Sequence, residues 1–251
     1  MIPWWRVPVA VVRLLRTLVN LLWVAWCMNR SFARHTPERQ RELVQRWSLR
    51  VLRGLGVQLK VQGEFRPGAK LVVGNHVSWL DIVAILAAHP ARFVSKAEVA
   101  QWPVVGRMVV LAGTILLERA RRRDAMRVMG LLTQTLQEGG TAAVFPEGTT
   151  GDGQALLHFH ANLLQSAIDA DVPVQPVAVR YSDAQHAISP AAAYVGDTTL
   201  VQSLWWVAGA KNLTVTLQVL PAHRVTHADR RALAETLQAE IDAALQQLAR
   251  P

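Results

Sequence analysis

Apolar positions divide the chain into two regimes. Up to about residue 55 they recur at helical spacing, and from Val57 onward they gather into short runs separated by helical stretches. Residues 7–28 are almost wholly apolar, but Arg13 and Arg16 interrupt them before an uncharged span of about 20 residues can form. Trp4, Trp5, Trp23 and Trp26 flank or sit in this stretch, and tryptophan favours the headgroup level, so the pattern predicts a helix lying in a membrane interface or dipping into one leaflet. A secretory signal is the competing reading, weakened because Asn29, Arg30 and Ser31 follow where a small-residue cleavage site would stand. A second helix is predicted over 37–55. Thr36 is its N-cap, Pro37 its first residue, and Leu43, Val44, Trp47, Val51 and Leu52 form an apolar stripe among five arginines, at 39, 41, 46, 50 and 53. Such a basic amphipathic helix suits anionic lipid or, more blandly, a surface packed on a neighbouring domain.

Beyond it the runs predict strands at 57–61, 71–74, 92–95, 114–117, 141–145, 174–180 and 213–219. Helices are predicted at 78–88, 104–111, 122–137, 159–168, 200–208 and 228–248. The alternation implies an α/β layered domain with a mixed central sheet flanked by helices. Residues 1–56 then form a helical membrane-anchoring segment and 57–251 a catalytic domain, with no repeat or low-complexity linker between them.

Composition narrows the partners. The chain is 51% hydrophobic and 18% charged, apolar for a soluble enzyme and too charged for a multi-span membrane protein. Its net charge of +9 favours phosphate-bearing partners: nucleic acid, anionic lipid or a phosphorylated carrier. No nucleic-acid motif or stacking sheet accompanies that charge. Cys27 is the single cysteine, which excludes an intramolecular disulfide and opposes a zinc site on paired thiolates, while His158 and His160 are spaced too closely for a helical ligand pair.

The chemistry gathers where strands end. After the predicted strand 71–74 comes Asn75-His76-Val77-Ser78-Trp79-Leu80-Asp81, placing His76 on a loop and Asp81 in the first turns of a helix. From there a carboxylate can fold back to one ring nitrogen and leave the other free as a base. Taken alone, the pair reads as a loop histidine beside a helix-capping carboxylate. No serine or cysteine stands in a nucleophile elbow, and Ser78 reads as a helix-start residue, which favours direct transfer over a covalent intermediate. The strand 141–145 likewise leads into Pro146-Glu147-Gly148-Thr149-Thr150-Gly151, an acidic, glycine-bearing loop.

Five blocks in order carry a resemblance: Asn-His-Val-Ser-Trp-Leu-Asp, Phe-Val-Ser-Lys-Ala-Glu, Gly-Thr-Ile-Leu-Leu-Glu-Arg, Phe-Pro-Glu-Gly-Thr-Thr and Val-Pro-Val-Gln-Pro-Val-Ala. Together they resemble the glycerolipid acyltransferases, which include the 1-acyl-glycerol-3-phosphate acyltransferases. The resemblance implies His76 as general base on an acceptor hydroxyl and Asp81 as its orienting partner. It implies Gly113 and Arg119 in the block that holds the acceptor's phosphate, Glu147, Gly148 and Thr149 in the block that binds the acceptor, and Lys96 as a further cation near the cleft. Pro173 and Pro176 would shape the site. The acyl donor would be acyl-CoA or acyl carrier protein, used as substrate, with no cofactor or metal and no nucleic acid. The expected place is the cytoplasmic face of a bacterial inner membrane, peripheral or monotopic, among membrane lipids.

One departure bears on the acceptor. Where members acting on lysophosphatidic acid often carry Arg after Glu-Gly-Thr, this chain has Thr150, a form that also resembles lyso-ornithine lipid acyltransferases. Lysophosphatidic acid is the first expectation and lyso-ornithine lipid the alternative. Two rivals of other classes are a thioesterase or lipid hydrolase, in which the dyad activates water, and a non-catalytic lipid-binding protein.

Overall fold

A computed structural model describes residues 3–118 and 122–249. Two helices, α1 (Val7–Ser31) and α2 (Pro37–Leu55), precede seven strands: β1 (Gln58–Gln62), β2 (Lys70–Gly74), β3 (Arg92–Lys96), β4 (Ile115–Leu117), β5 (Thr141–Val144), β6 (Val174–Ser182) and β7 (Thr214–Val219). Between and after them lie α3 (Leu80–Ala88), α4 (Val105–Leu111), α5 (Arg122–Gln137), α6 (Gln165–Asp169), α7 (Leu200–Gly209) and α8 (Arg230–Leu248). The strands form one sheet in the order β1-β7-β6-β2-β5-β3-β4. β6, β2, β5, β3 and β4 run parallel, β7 pairs antiparallel with β6, and β1 is parallel to β7. The sheet is therefore mixed, as the alternation of runs predicts.

Strands buried on both faces need consecutive apolar residues, and Leu71, Val72 and Val73 of β2 supply them. Leu71 and Val73 face a layer built from Val128, Leu132 and Leu136 of α5 and Leu237 and Ile241 of α8. Val72 faces the opposite layer, with Leu52 and Leu55 of α2, Leu80, Ala84 and Ile85 of α3, and Val207 and Ala208 of α7.

Two boundaries differ from expectation for identifiable reasons. The helix expected over 159–168 is a 3-10 turn, Ala161–Leu164, leading into the short α6. The Phe159 N–H donates to Gln238 Oε1 and that of His160 to the Pro146 carbonyl, so their backbone is committed elsewhere. Helix α3 starts at Leu80 because the N–H groups of Val77 and Ser78 turn to the Asp81 carboxylate. Ser78 does not cap the helix with its side chain; its hydroxyl is buried without a hydrogen-bond partner.

Arg13 and Arg16, which interrupt the apolar helix, and Arg6 just before it turn to backbone carbonyls of other helices. Arg6 donates to the carbonyls of Gly209 (2.7 Å) and Ala210 (2.9 Å), and Arg13 to those of Ala208 and Ala210 (both 2.9 Å). Arg16 donates to the Arg53 and Gly54 carbonyls. These are the open carbonyl ends of α7 and α2, where cations also complement the helix dipole. Ala10, Thr17, Val24 and Met28 form the buried stripe of α1, while Val12, Leu15, Val19, Leu22 and Trp26 stand exposed on its other faces and Trp4 and Trp5 are exposed in the 3-10 turn before it. Arg50 lies over the Trp23 ring at 4.7 Å. By length and composition Trp4–Arg34 suffices to cross a membrane.

Helices α1 and α2 cross where Gly54 meets Thr17, so closely that a Cβ on Gly54 would lie 2.6 Å from Thr17 Oγ1. Gly54→Leu is expected to push the helices apart at a cost of about 1–3 kcal/mol, read as a lower unfolding temperature in detergent.

Candidate active site

The site is built at the carboxyl edge of three adjacent strands, the edge where open α/β sheets place their chemistry. Central β2 ends at Gly74 and delivers His76; β5 on one side leads to Phe145 and Glu147; β6 on the other carries Val179 and Tyr181. Asn75 pins the loop to β6, its amide donating to the Val179 carbonyl (2.9 Å) and its carbonyl accepting the Val179 N–H (2.7 Å).

Asp81 is fully buried on α3, 2.8 Å from the His76 ring through Oδ2 and Nδ1. The same Oδ2 accepts the N–H groups of Val77 (2.7 Å) and Ser78 (2.9 Å), and Oδ1 accepts the Tyr181 hydroxyl at 2.7 Å. Four donors thus satisfy a carboxylate removed from water, the condition for keeping such a group inside. A carboxylate partner assigns the proton on the imidazole to Nδ1 and leaves the Nε2 lone pair open. Phe145 lies flat against the ring, 4.1 Å between centroids and 2° between planes, and itself packs on Phe93. The imidazole is held by a hydrogen bond at one edge and an aromatic face at its side, with 18% of its side chain exposed.

Glu147 is the second carboxylate of the cluster. Its Oε1 accepts the His76 N–H (2.7 Å), its Oε2 the Leu157 N–H (3.0 Å), and only 5% of the residue is exposed. Burial pushes its carboxyl above the usual carboxylate range, and the two backbone donors pull it partly back. The Gly151 N–H donates to the His76 carbonyl (2.8 Å), and the Tyr194 N–H to the Val77 carbonyl (3.0 Å). Thr150 donates its hydroxyl to the Tyr194 carbonyl. The histidine loop, the Glu147 loop and the segment at Tyr194 are thereby laced into one rigid rim. Gly148, at φ 69°, and Thr149 are exposed on it.

The residues of the five blocks separate in space. His76, Asp81, Glu147, Gly148 and Thr149 come together, and Lys96 ends β3 at the same edge of the sheet, exposed. Gly113 lies apart. It closes α4 into the amino end of β4 with φ 78°, its N–H donating to the Val110 carbonyl, and it lines a cleft of about 860 Å³ at the opposite edge with Lys70, His89 and Thr141. The physical reason is the direction of β4: the strand runs parallel to β3 toward the edge that carries Lys96, so Gly113, which precedes it, sits at the opposite edge. Arg119, at the other end of that block, and Arg121 lie outside the described residues. Pro173 precedes β6 at the far edge, its carbonyl accepting the Leu71 N–H, and Pro176 is within β6, so both act on the strand. Tyr181 and Phe145 were not singled out by sequence reasoning. The available signal was a tyrosine in register with Val177 and Val179 on a buried strand, since a buried phenol needs a partner for its hydroxyl.

Comparison with known proteins agrees with this geometry. Residues 58–180 match the model of the Acyltransferase family. The chain is 38% identical over 210 residues to a 1-acyl-sn-glycerol-3-phosphate acyltransferase of Neisseria meningitidis serogroup B, covering 82% of each. It is 36% identical over 228 residues to a lyso-ornithine lipid O-acyltransferase of Pseudomonas aeruginosa, covering 89% of this chain and 85% of that one. In fold it is similar to the crystal structure of the 1-acyl-sn-glycerophosphate acyltransferase of Thermotoga maritima, with TM-score 0.68, 21% identity, and coverage of 95% and 98%. With a histidine and a carboxylate joined on the first of the five blocks, and relatives matched along most of their length, the chain belongs to the acyltransferase family that includes the 1-acyl-sn-glycerol-3-phosphate and lyso-ornithine lipid acyltransferases, and is an enzyme of acyl transfer.

Proposed function

We propose that the protein transfers a fatty acyl group from acyl-CoA or acyl carrier protein to the free hydroxyl of 1-acyl-sn-glycerol-3-phosphate, forming phosphatidic acid. The observation that supports this most is the imidazole of His76, tied to Asp81 through Nδ1 with Nε2 open at the strand edge. Nε2 takes the proton of the acceptor hydroxyl as its oxygen attacks the thioester carbonyl carbon. The tetrahedral intermediate collapses with cleavage of the C–S bond, and the thiol leaves with the proton returned by His76. Asp81 orients the ring and steadies the imidazolium between the two transfers. No step needs a metal or cofactor. Lys96 and Arg119 are the cations assigned to the acceptor's phosphate, Arg119 by resemblance alone.

The second reading, lyso-ornithine lipid as acceptor, is favoured by Thr150. Its hydroxyl is spent on the Tyr194 carbonyl, so the position carries neither charge nor a free donor toward an acceptor phosphate. A bacterial inner membrane, cytoplasmic face, is the proposed location. Helix α1 would lie in the headgroup boundary: its inward face is committed to α2 and α7 along its length, and its outward face presents tryptophan and aliphatic side chains.

Membranes containing the protein, given labelled acyl-CoA with lysophosphatidic acid or with lyso-ornithine lipid, test the acceptor. Label in phosphatidic acid supports the first reading and label in ornithine lipid the second. Free fatty acid as the only labelled product would replace both with a hydrolase.

A further inference from the structure

The two oxygens of the Asp81 carboxylate are divided between two tasks. Oδ2 serves the histidine loop, taking His76 Nδ1 and the N–H groups of Val77 and Ser78. Oδ1 takes the Tyr181 hydroxyl, on a side chain from β6, a hundred residues further along the chain and 2% exposed. Without that hydroxyl, Oδ1 would be an anionic oxygen inside the fold with no side-chain donor among the described residues. Burial, and then the charge of Asp81, push the Tyr181 phenol well above its usual range, so it stays protonated and acts only as a donor.

We infer that Tyr181 is a positioning residue of the transfer reaction: its hydroxyl locks the rotation of the Asp81 carboxylate and draws off part of its negative charge, so that His76 is aligned as a base without being fixed as imidazolium. The proposal rests on the reading of His76 as the base. Geometry sets its direction. A carboxylate that loses one strong donor becomes a stronger acceptor toward its remaining partners, and the proton-bearing imidazole is one of them. Around the His76 ring and its backbone stand Asp81 from α3, Glu147 from the loop after β5 and, behind Asp81, Tyr181 from β6, with Phe145 as an uncharged wall. Of these, only Tyr181 touches Asp81 without touching the histidine loop.

The test uses the full chain in membranes and compares wild type, Tyr181→Phe, Asp81→Asn, the double variant and His76→Ala across pH. Phenylalanine keeps the buried ring and removes only the hydroxyl. The expected result is a kcat lower by roughly tenfold with KM within about twofold, and an acid limb of the rate profile moved up by about half to one pH unit. In the Asp81→Asn background the tyrosine change should add less than about twofold, because its effect passes through the carboxylate. Wild-type rate and profile in Tyr181→Phe, or a loss that multiplies in full onto Asp81→Asn, would overturn the proposal while a dead His76→Ala left the base in place. A Tyr181→Phe protein with a lowered unfolding temperature but an unmoved acid limb would also overturn it, since that is what loss of packing alone produces. An active His76→Ala would overturn the base and the positioning residue together.

Discussion

His76→Ala is expected to leave a folded, membrane-associated protein whose transfer rate has fallen by about 10²–10⁴, the range that a positioned general base supplies. The loss should lie in kcat, because the imidazole meets the hydroxyl as it is deprotonated. Stability should change little. The ring is partly exposed, contributes one side-chain hydrogen bond, and Asp81 retains three donors without it. Single-turnover acyl transfer and vesicle flotation on the same preparation separate the two effects. Retained lipid binding with lost transfer is the enzymatic outcome; transfer that survives the substitution would require another base, and lipid binding without transfer in the wild type as well would mark a non-catalytic binder.

Glu147→Gln is expected to be nearly as damaging to the rate, by a different route. The carboxylate accepts two backbone N–H groups, one on each oxygen, and an amide can accept only one of them. The N–H left facing an NH₂ group is that of His76 or of Leu157, buried either way. Leaving such a donor unsatisfied costs about 1–3 kcal/mol, which for a chain of this size lowers the unfolding temperature by roughly 2–4 °C per kcal/mol. The rate falls with it because Glu147 ties the backbone of the base to that of Leu157, and losing either bond loosens the hold on the histidine loop. Stability against pH should also change slope. In the folded protein the Glu147 carboxyl is held above its usual range, so the folded state keeps a proton that the unfolded chain releases. Wild-type stability therefore has a component that is fully present below the ordinary carboxylate range and is lost as pH rises through the raised folded value. The glutamine variant lacks that component, and chemical unfolding across mildly acidic pH would reveal it.

Much of the framework was legible because it rests on local pattern. The seven strands are short apolar runs between turn residues, and β2 can be read from Leu71, Val72 and Val73 because both its faces are covered. The meeting of His76 with Asp81 was also readable, since five residues across a helix start leave a carboxylate few other places to go. What was not legible depends on contacts distant in sequence. Tyr181 reaches Asp81 across the gap between β6 and α3. Glu147 was expected in the block that binds the acceptor; that its side chain turns inward and holds the backbone of the histidine loop could not be read from the block. Gly113 fell away from the site because a sequence block has no edge, whereas a strand has two. The arginines of α1 counted as interruptions of a membrane segment, since only the fold supplies the carbonyl ends of α7 and α2 that they meet.

Those arginines make the apolar helix α1 inseparable from the rest of the enzyme. Deleting α1 to obtain a water-soluble fragment would uncap the ends of two helices and strip the cover from Leu52, Leu55 and Ala208 at once. α7, losing its ties at Ala208, Gly209 and Ala210, also carries Ser203, the acceptor of the Trp79 indole N–H beside the histidine loop. Trimming is therefore expected to cost the native active site whatever it gains in solubility, because the long apolar helix is also a wall of the fold.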